Sequence, residues 1–250
     1  MSKSRIQGDL LMTTIDPMMT LGALVTSHPE LARELEQRGL DYCCGGGQTL
    51  AEACTSKGLD SVSTANELGV ATTEGVFAEW SAMGANELVD HLESTHHRYL
   101  WDELPRLSAL VTKIVSVHEE RHPELHSLAE CYGKLRADLE PHLTKEEQVL
   151  FPMIRELAAA TSVPAFHCGS LRNPISVMLL EHDAVGELLA QLRTLTDGYQ
   201  SPTDGCASYV ACFAALAELE ADTHLHIHKE NNLLFPMVIK LENELSSKSP

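Results

Sequence analysis

The stretch HLTKEEQVLFPM at residues 142–153 returns as HIHKENNLLFPM at residues 226–237. The histidine, the lysine, the glutamate and the Leu-Phe-Pro-Met tail coincide, so each copy contains His-x-x-x-Glu: His142 with Glu146, and His226 with Glu230. On an α-helix, residues four apart share a face, which sets an imidazole beside a carboxylate in each copy. A solitary pair of this kind is most often a solvated surface feature. Here there are two, each set in a mostly apolar stripe: Leu135, Leu139, Val149 and Met153 flank the first, and Leu216, Leu219, Thr223, Leu233 and Met237 the second. Such stripes mark the inward face of bundle helices. Two carboxylates buried face to face are costly and mutually repulsive unless a cation compensates them.

A bundle supplies two more helices. On residues 86–117 the seam Leu100, Leu104, Leu107, Val111, Ile114 runs back in seven-residue rhythm to His97 and leaves His96 off the line. In the segment from Pro174, the seam Ile175, Met178 or Leu179, Val185, Leu189, Leu192 brackets His182. Either histidine alone would read as a core imidazole bonded to a backbone carbonyl. One seam histidine on each of four helices reads as a metal site: His97, His142, Glu146, His182, His226 and Glu230. Six donors are too many for one tetrahedral zinc. They suit two metals, each with two imidazoles, bridged by two carboxylates, with positions left for oxide, water or a small diatomic molecule. Mixed imidazole and carboxylate ligation favours iron or manganese over copper(I), and ligand type alone does not exclude zinc. Inward His and Glu from four helices is also the plan of di-iron carboxylate bundles. Asp138 and Asp222, four residues before His142 and His226, are candidates to hold the far ring nitrogens of those histidines, an exposed helix edge being the alternative. His224 and His228 fall on a different face and stay outside the site.

The expected class is therefore all-α, a four-helix bundle preceded by a small helical domain. With 250 residues at 44% hydrophobic content, the chain can bury both cores. Its opening, MSKSRIQGDLLMTTID, lacks a secretory pattern, and no apolar run reaches the length of a membrane helix. Seven irregularly spaced cysteines read as reduced thiols rather than a disulfide scaffold. A formal charge of −18 argues against nucleic acid or an anionic membrane as partner and is sufficiently explained by solubility.

The expected organisation is a flexible tail over 1–17, a small helical domain over 18–82 and the bundle over 83–245. Thr20 can cap a short helix reading LGALVTSH. A second helix, PELARELEQR, follows at Pro29 and stops at Gly39. The DYCCGGG turn spans Asp41 to Gly47, and another helix starts near Thr49. Residues 58–85, rich in Ser, Thr and Gly, read as an irregular link. Bundle helices are predicted near 86–117, 123–160, 174–197 and 206–245, with a crossover from Ser162 to Asn173. Pro105, Pro141, Pro152 and Pro236 predict kinks or breaks. The repeat predicts approximate twofold symmetry between the two helix pairs.

Taken together, the seam donors, the tandem KEE/KEN-x-x-LFPM tails, the EHD at Glu181 to Asp183 and the DYCCGGGQTL at Asp41 to Leu50 resemble the di-iron Repair of Iron Centres family, the ScdA/YtfE family. The resemblance covers roughly residues 18–240. It implies a hemerythrin-like four-helix bundle with a non-haem di-iron centre, held by four histidines and two bridging glutamates, the positions filled here by the six donors above. It also implies a cytoplasmic protein that restores iron-sulfur clusters damaged by nitric oxide or oxidants, by iron donation or redox at the di-iron centre. Its partners would be damaged iron-sulfur proteins and small molecules such as nitric oxide or oxygen, with no nucleic acid and no membrane; monomer and homodimer both remain open. Adjacent cysteines are neither a C-x-x-C motif nor a common zinc spacing, so Cys43 and Cys44 on their own read equally well as buried thiols. The resemblance implies redox or cluster work for them. Two other classes are carried forward: an enzyme reducing nitric oxide, and a hemerythrin-like module that binds or senses oxygen or nitric oxide. The oxygen carriers use five histidines with Glu and Asp bridges, whereas both candidate bridges here are Glu. A purely structural zinc bundle is disfavoured because such sites are four-coordinate and rich in thiolate.

Overall fold

In the computed structural model, residues 14–72 and 79–248 are described. All the regular elements among them are helical, apart from an isolated bridge between Thr20 and Thr49. The chain divides into two compact units, Met1–Ala78 and Glu79–Pro250. Part of the expected tail, residues 1–13, lies outside the described residues.

In the first unit, α1 (Leu21–Ser27) begins where the Thr20 side chain accepts the Ala23 amide. A single 3₁₀ turn at Pro29–Leu31 leads into α2 (Ala32–Gln37), and Gly39 turns the chain away at φ 65°, a conformation glycine adopts without strain. Then α3 (Leu50–Lys57) starts at a capping box: Thr49 Oγ1 accepts the Glu52 amide while the Glu52 carboxylate accepts the Thr49 amide. The residues read as irregular link contain a helix, α4 (Ser61–Ala71), capped by the Asp60 carboxylate on the Ser63 amide at 2.7 Å. Its Ser, Thr and Asn lower helix propensity only slightly, and burial of Ala65 and Leu68 outweighs that.

The second unit is a closed ring of four long helices. They are α6 (Arg98–His118), α7 (Glu124–Lys145), α9 (Arg172–Leu195) and α10 (Ala207–Lys229). Helix α6 packs on α7, α7 on α9, α9 on α10, and α10 on α6. Three shorter helices, α5 (Ala85–Leu92), α8 (Phe151–Ala159) and α11 (Phe235–Lys248), continue the bundle beyond the candidate donors. Helices α6 and α7 continue without a break across Pro105 and Pro141. Each proline forfeits about 3 kcal/mol of helix stability, and buried Leu104 and Leu107, and Leu139 and Leu143, on either side hold the helix regardless.

Three π-helical turns interrupt the bundle, at Glu93–His97, Glu146–Leu150 and Glu230–Leu234. In the second and third, the Phe151 and Phe235 amides reach back to the Glu146 and Glu230 carbonyls, which settles the hydrogen bonding just ahead of Pro152 and Pro236. A π turn adds one residue, so the seam slips by one beyond it. Val149, placed inward by the stripe, is 41% exposed, and Leu150 takes its place at 1%. Likewise Leu234 is buried where the stripe assigned Leu233. On α9 the seam residue is Met178, with Leu179 exposed.

Candidate metal centre

The six seam donors converge. His97, Glu146, His226 and Glu230 form one cluster and His142, Glu146, His182 and Glu230 a second, each with one donor atom per residue lying within 4.8 Å of the others. Both glutamates belong to both clusters. All six side chains are 0 to 1% exposed.

Within the clusters the distances are short. His97 Nε2 lies 3.5 Å and His142 Nε2 3.3 Å from Glu146 Oε2. His182 Nε2 is 3.1 Å from Glu230 Oε2, and His226 Nε2 is 3.1 Å from Glu230 Oε1. His142 Nε2 and His182 Nε2 face each other at 3.1 Å.

The far ring nitrogens decide what these atoms carry. His97 Nδ1 donates to Glu147 Oε1 at 3.0 Å, and the same oxygen accepts Trp101 Nε1–H at 2.8 Å. His142 Nδ1 donates to Glu181 Oε2 at 2.8 Å, and Lys145 pairs with the other Glu181 oxygen. His182 Nδ1 donates to Asn231 Oδ1 at 2.7 Å. With the proton held on Nδ1, each neutral ring turns the lone pair of Nε2 inward. Two bare lone pairs 3.1 Å apart repel each other, and a cation bound by both removes that repulsion. Around them His97 Nε2, both Glu146 oxygens and Glu230 Oε2 are buried and take no hydrogen bond. In a dry interior such groups are expensive unless a ligand completes them. The donor set therefore fits a pair of divalent cations.

The electrostatics agree. Burial first, and then the neighbouring His182 imidazole, hold His142 down at about 4. Burial likewise keeps His226 at about 4. Neither is an imidazolium at neutral pH: His142 keeps its one proton on Nδ1 and turns a bare Nε2 inward, whereas His226 sets Nε2 against the Glu230 carboxylate. Burial, then the facing Glu230 charge, raises the Glu146 carboxyl well above the carboxylate range. Burial also opposes ionisation of Glu230, but His226 and His182 outweigh it and its carboxyl lies well below the usual range. One of the two facing carboxyls thus keeps a proton longer than the other.

Phe151 and Phe235 give the repeated tails their purpose. Phe151 packs on the His97 ring with centroids 5.2 Å apart, and Phe235 lies parallel to His182 at 6.0 Å. Each repeat therefore supplies a histidine, a glutamate, the next residue (Glu147 or Asn231) for a neighbouring histidine, and an aromatic cover. The symmetry stops at one point. The place of Glu181 beside His142 corresponds to that of His96 beside His226, with Lys229 answering to Lys145.

His96, put off the seam by the heptad pattern, is buried. The reason is that α10 covers that side as well. The His96 ring stacks on His226 with centroids 5.5 Å apart, donates from Nδ1 to Asp222 Oδ1 at 2.8 Å, and accepts from Lys229 Nζ at 2.6 Å. Lys229 also reaches His91 Nε2 at 2.8 Å and lies 5.3 Å from the Trp80 ring centroid. Burial lowers the Lys229 ammonium to about 8.

Two sequence assignments are corrected here. Asp138 is exposed, and the far nitrogen of His142 goes to Glu181 instead. Asp222 holds His96 and not His226. A histidine that points into a bundle aims its far nitrogen sideways at another helix, so the partner comes from that helix and not from its own previous turn.

In the first unit, the Asp41 side chain organises the cysteine turn. Its Oδ1 accepts the Cys43 and Cys44 amides, both at 3.0 Å, and its Oδ2 accepts the Gly45 amide at 2.9 Å. A side chain at Gly45 would put its Cβ 2.7 Å from the Asp41 carbonyl, which only glycine avoids. The two sulfurs lie 3.8 Å apart. The hydrogen bond with Cys44, followed by burial, pushes the Cys43 thiol well up, so Cys43 is no ready thiolate. Asp41, Cys43 and Cys44 together could hold a cation.

Comparison with known proteins gives the same picture. The Hemerythrin HHE cation binding domain matches residues 88–238, and the N-terminal ScdA domain, a domain of unknown function (DUF542), matches residues 18–71. Fold and donors thus define a hemerythrin-type cation-binding bundle. A protein named Iron-sulfur cluster repair protein YtfE, from Enterobacter sp. (strain 638), is 35% identical over 219 residues, spanning 88% of this chain and 96% of its own. Proteins of the same name from Citrobacter koseri and Escherichia coli O81 are each 33% identical over the same shares. The chain belongs to the ScdA/YtfE family. Among the described residues, no helix is long and apolar enough to cross a membrane.

Proposed function

We propose that this protein holds two iron ions between His97, His142, His182, His226 and the bridging Glu146 and Glu230, and that it repairs iron-sulfur clusters damaged by nitric oxide or oxidants. The observation that carries the reading is the sharing of both glutamates by two four-donor clusters. A cation pair bound there would supply exchangeable metal and one-electron redox chemistry. The chain's own part is preparation. Glu147, Glu181 and Asn231 hold the Nδ1 protons, so that three imidazoles present their lone pairs without rearranging. Phe151 and Phe235 cover two of those rings against water. Glu146, whose carboxyl burial favours in the protonated form, would have to yield that proton to ligate a cation.

The names of the relatives support the repair role, and the matched cation-binding domain supports the metal. The damaged clusters of other proteins are the expected substrates, met in the cytoplasm. Cys43 and Cys44, cradled by Asp41, are proposed to hold an iron or sulfur species during that work. The test is reactivation of an iron-sulfur enzyme inactivated with nitric oxide. Recovery should require this protein and be lost in the Glu146→Ala, Glu230→Ala double variant. Equal recovery with the double variant would refute the role of the site.

A further inference from the structure

We infer that Cys206, at the opposite end of α10 from the metal centre, is a reactive thiol that takes small electrophilic oxidants of the hydroperoxide class, with His118 as the residue that positions and activates its sulfur. Cys206 is exposed and stands at the N-terminal cap of the 23-residue α10. His118 closes α6, is only 3% exposed, and points Nε2 at the Cys206 sulfur from 3.2 Å. The ring is fixed edge-on by Tyr209, with centroids 5.3 Å apart, and by His122 at 6.2 Å.

Nδ1 of His118 is buried and meets no hydrogen-bond partner. A proton on that nitrogen would be an orphaned donor, so the neutral ring carries its proton on Nε2 and gives it to the sulfur. A thiolate accepts that bond better than a thiol does. The hydrogen bond from His118, with help from the Tyr209 and Ser208 amides at the start of α10, brings the Cys206 thiol down to about 7.

The other charged groups around this end are paired. Arg121 bonds Asp204 at 3.0 Å, and His122 bonds Glu124 at 2.9 Å and Asp204 at 3.1 Å. The donors here do not converge as they do in the bundle centre, so the pair reads as nucleophile and activator rather than as a metal site. Elsewhere burial works against ionisation: it pushes Cys212 up to about 12 and raises Cys131.

The reaction is a two-electron oxidation. The thiol proton leaves to water, which the exposed sulfur meets directly. The thiolate attacks the terminal oxygen of a hydroperoxide, an S–O bond forms as the O–O bond breaks, and the departing alkoxide takes a proton from water. Cysteine becomes sulfenic acid and the hydroperoxide becomes an alcohol. This inference does not rest on the metal reading.

The experiment is site-resolved labelling of the full-length protein with iodoacetamide across pH, followed by dimedone trapping after tert-butyl hydroperoxide. A thiol at about 7 instead of the ordinary 9 carries about fifty times more thiolate at pH 7. Its lower intrinsic nucleophilicity reduces the rate gain to about sixfold. Cys206 should therefore alkylate with a midpoint near pH 7 and be the first residue to take dimedone. A His118→Phe variant should move the midpoint towards 9 and lose most of the sixfold gain. A wild-type midpoint in the ordinary thiol range, or trapping that favours Cys168 or Cys44, would overturn the inference whether or not the His118 variant folds. So would a folded His118→Phe protein with an unchanged midpoint.

Discussion

Replacing Glu147 by alanine should weaken one half of the metal centre and spare the other. One oxygen of Glu147 holds both the His97 Nδ1 proton at 3.0 Å and the Trp101 indole N–H at 2.8 Å. Without that oxygen His97 can flip tautomer or turn, and its lone pair no longer waits at the cluster it forms with Glu146, His226 and Glu230. Loss of such an outer partner usually weakens metal affinity 10- to 100-fold, or about 1.4 to 2.7 kcal/mol. The second cluster contains His142 and His182, whose far nitrogens are held by Glu181 and Asn231, and it should keep its affinity. Titration of the metal-free protein with ferrous iron against a chelator, under anaerobic conditions, would then resolve one normal and one weakened equivalent. Glu147→Gln, which can keep an oxygen in place, should lose much less. Two equivalents of unchanged affinity in the alanine variant, with helicity intact, would refute the tautomer argument.

Three further outcomes are expected. Leu150→Ala should cost about 2 to 5 kcal/mol in denaturant unfolding, whereas Val149→Ala should stay within about 0.5 kcal/mol; the reverse order would mean that the π turn does not shift the seam. Where metal uptake releases a proton, above the usual carboxylate range, it should come from Glu146, whose carboxyl burial raises, and not from His142 or His226, which sit at about 4. Apparent affinity should therefore rise with pH above the usual carboxylate range, while for the metal-free fold the raised Glu146 value makes stability fall as pH climbs from 4.5 towards it; calorimetry in buffers of different ionisation enthalpy would expose an uptake that releases no proton. Finally, a Cys43→Ala, Cys44→Ala double variant should bind metal in the bundle normally and lose cluster repair. Full repair by that variant would remove the cysteines from the account.

Helical spacing made the centre legible before any coordinates. His142 with Glu146 and His226 with Glu230 each sit one turn apart, and their apolar neighbours fixed the direction they face. His97 and His182 followed from the same inward rule. The supporting residues were less visible, because Glu181 and Asn231 reach histidines on other helices and sequence spacing describes only one helix at a time. Asp138 and Asp222 drew attention for being one turn upstream of the histidines, where the ring nitrogens do not point. The slip from Val149 to Leu150 was hidden for a different reason: an extended heptad assumes regular α-helix, and the π turn inserts a residue that the pattern does not mark. Helix α4 was concealed by its own Ser, Thr and Asn, although Asp60 in front of it is a recognisable cap.

The most direct test of the central claim is the metal content and visible spectrum of the anaerobically purified protein beside the Glu146→Ala, Glu230→Ala variant. The shared-glutamate geometry predicts about two irons per chain, with a bridged di-iron absorption that disappears in the variant while the helical signal remains. A single zinc per chain, or iron retained undiminished after both glutamates are removed, would contradict it.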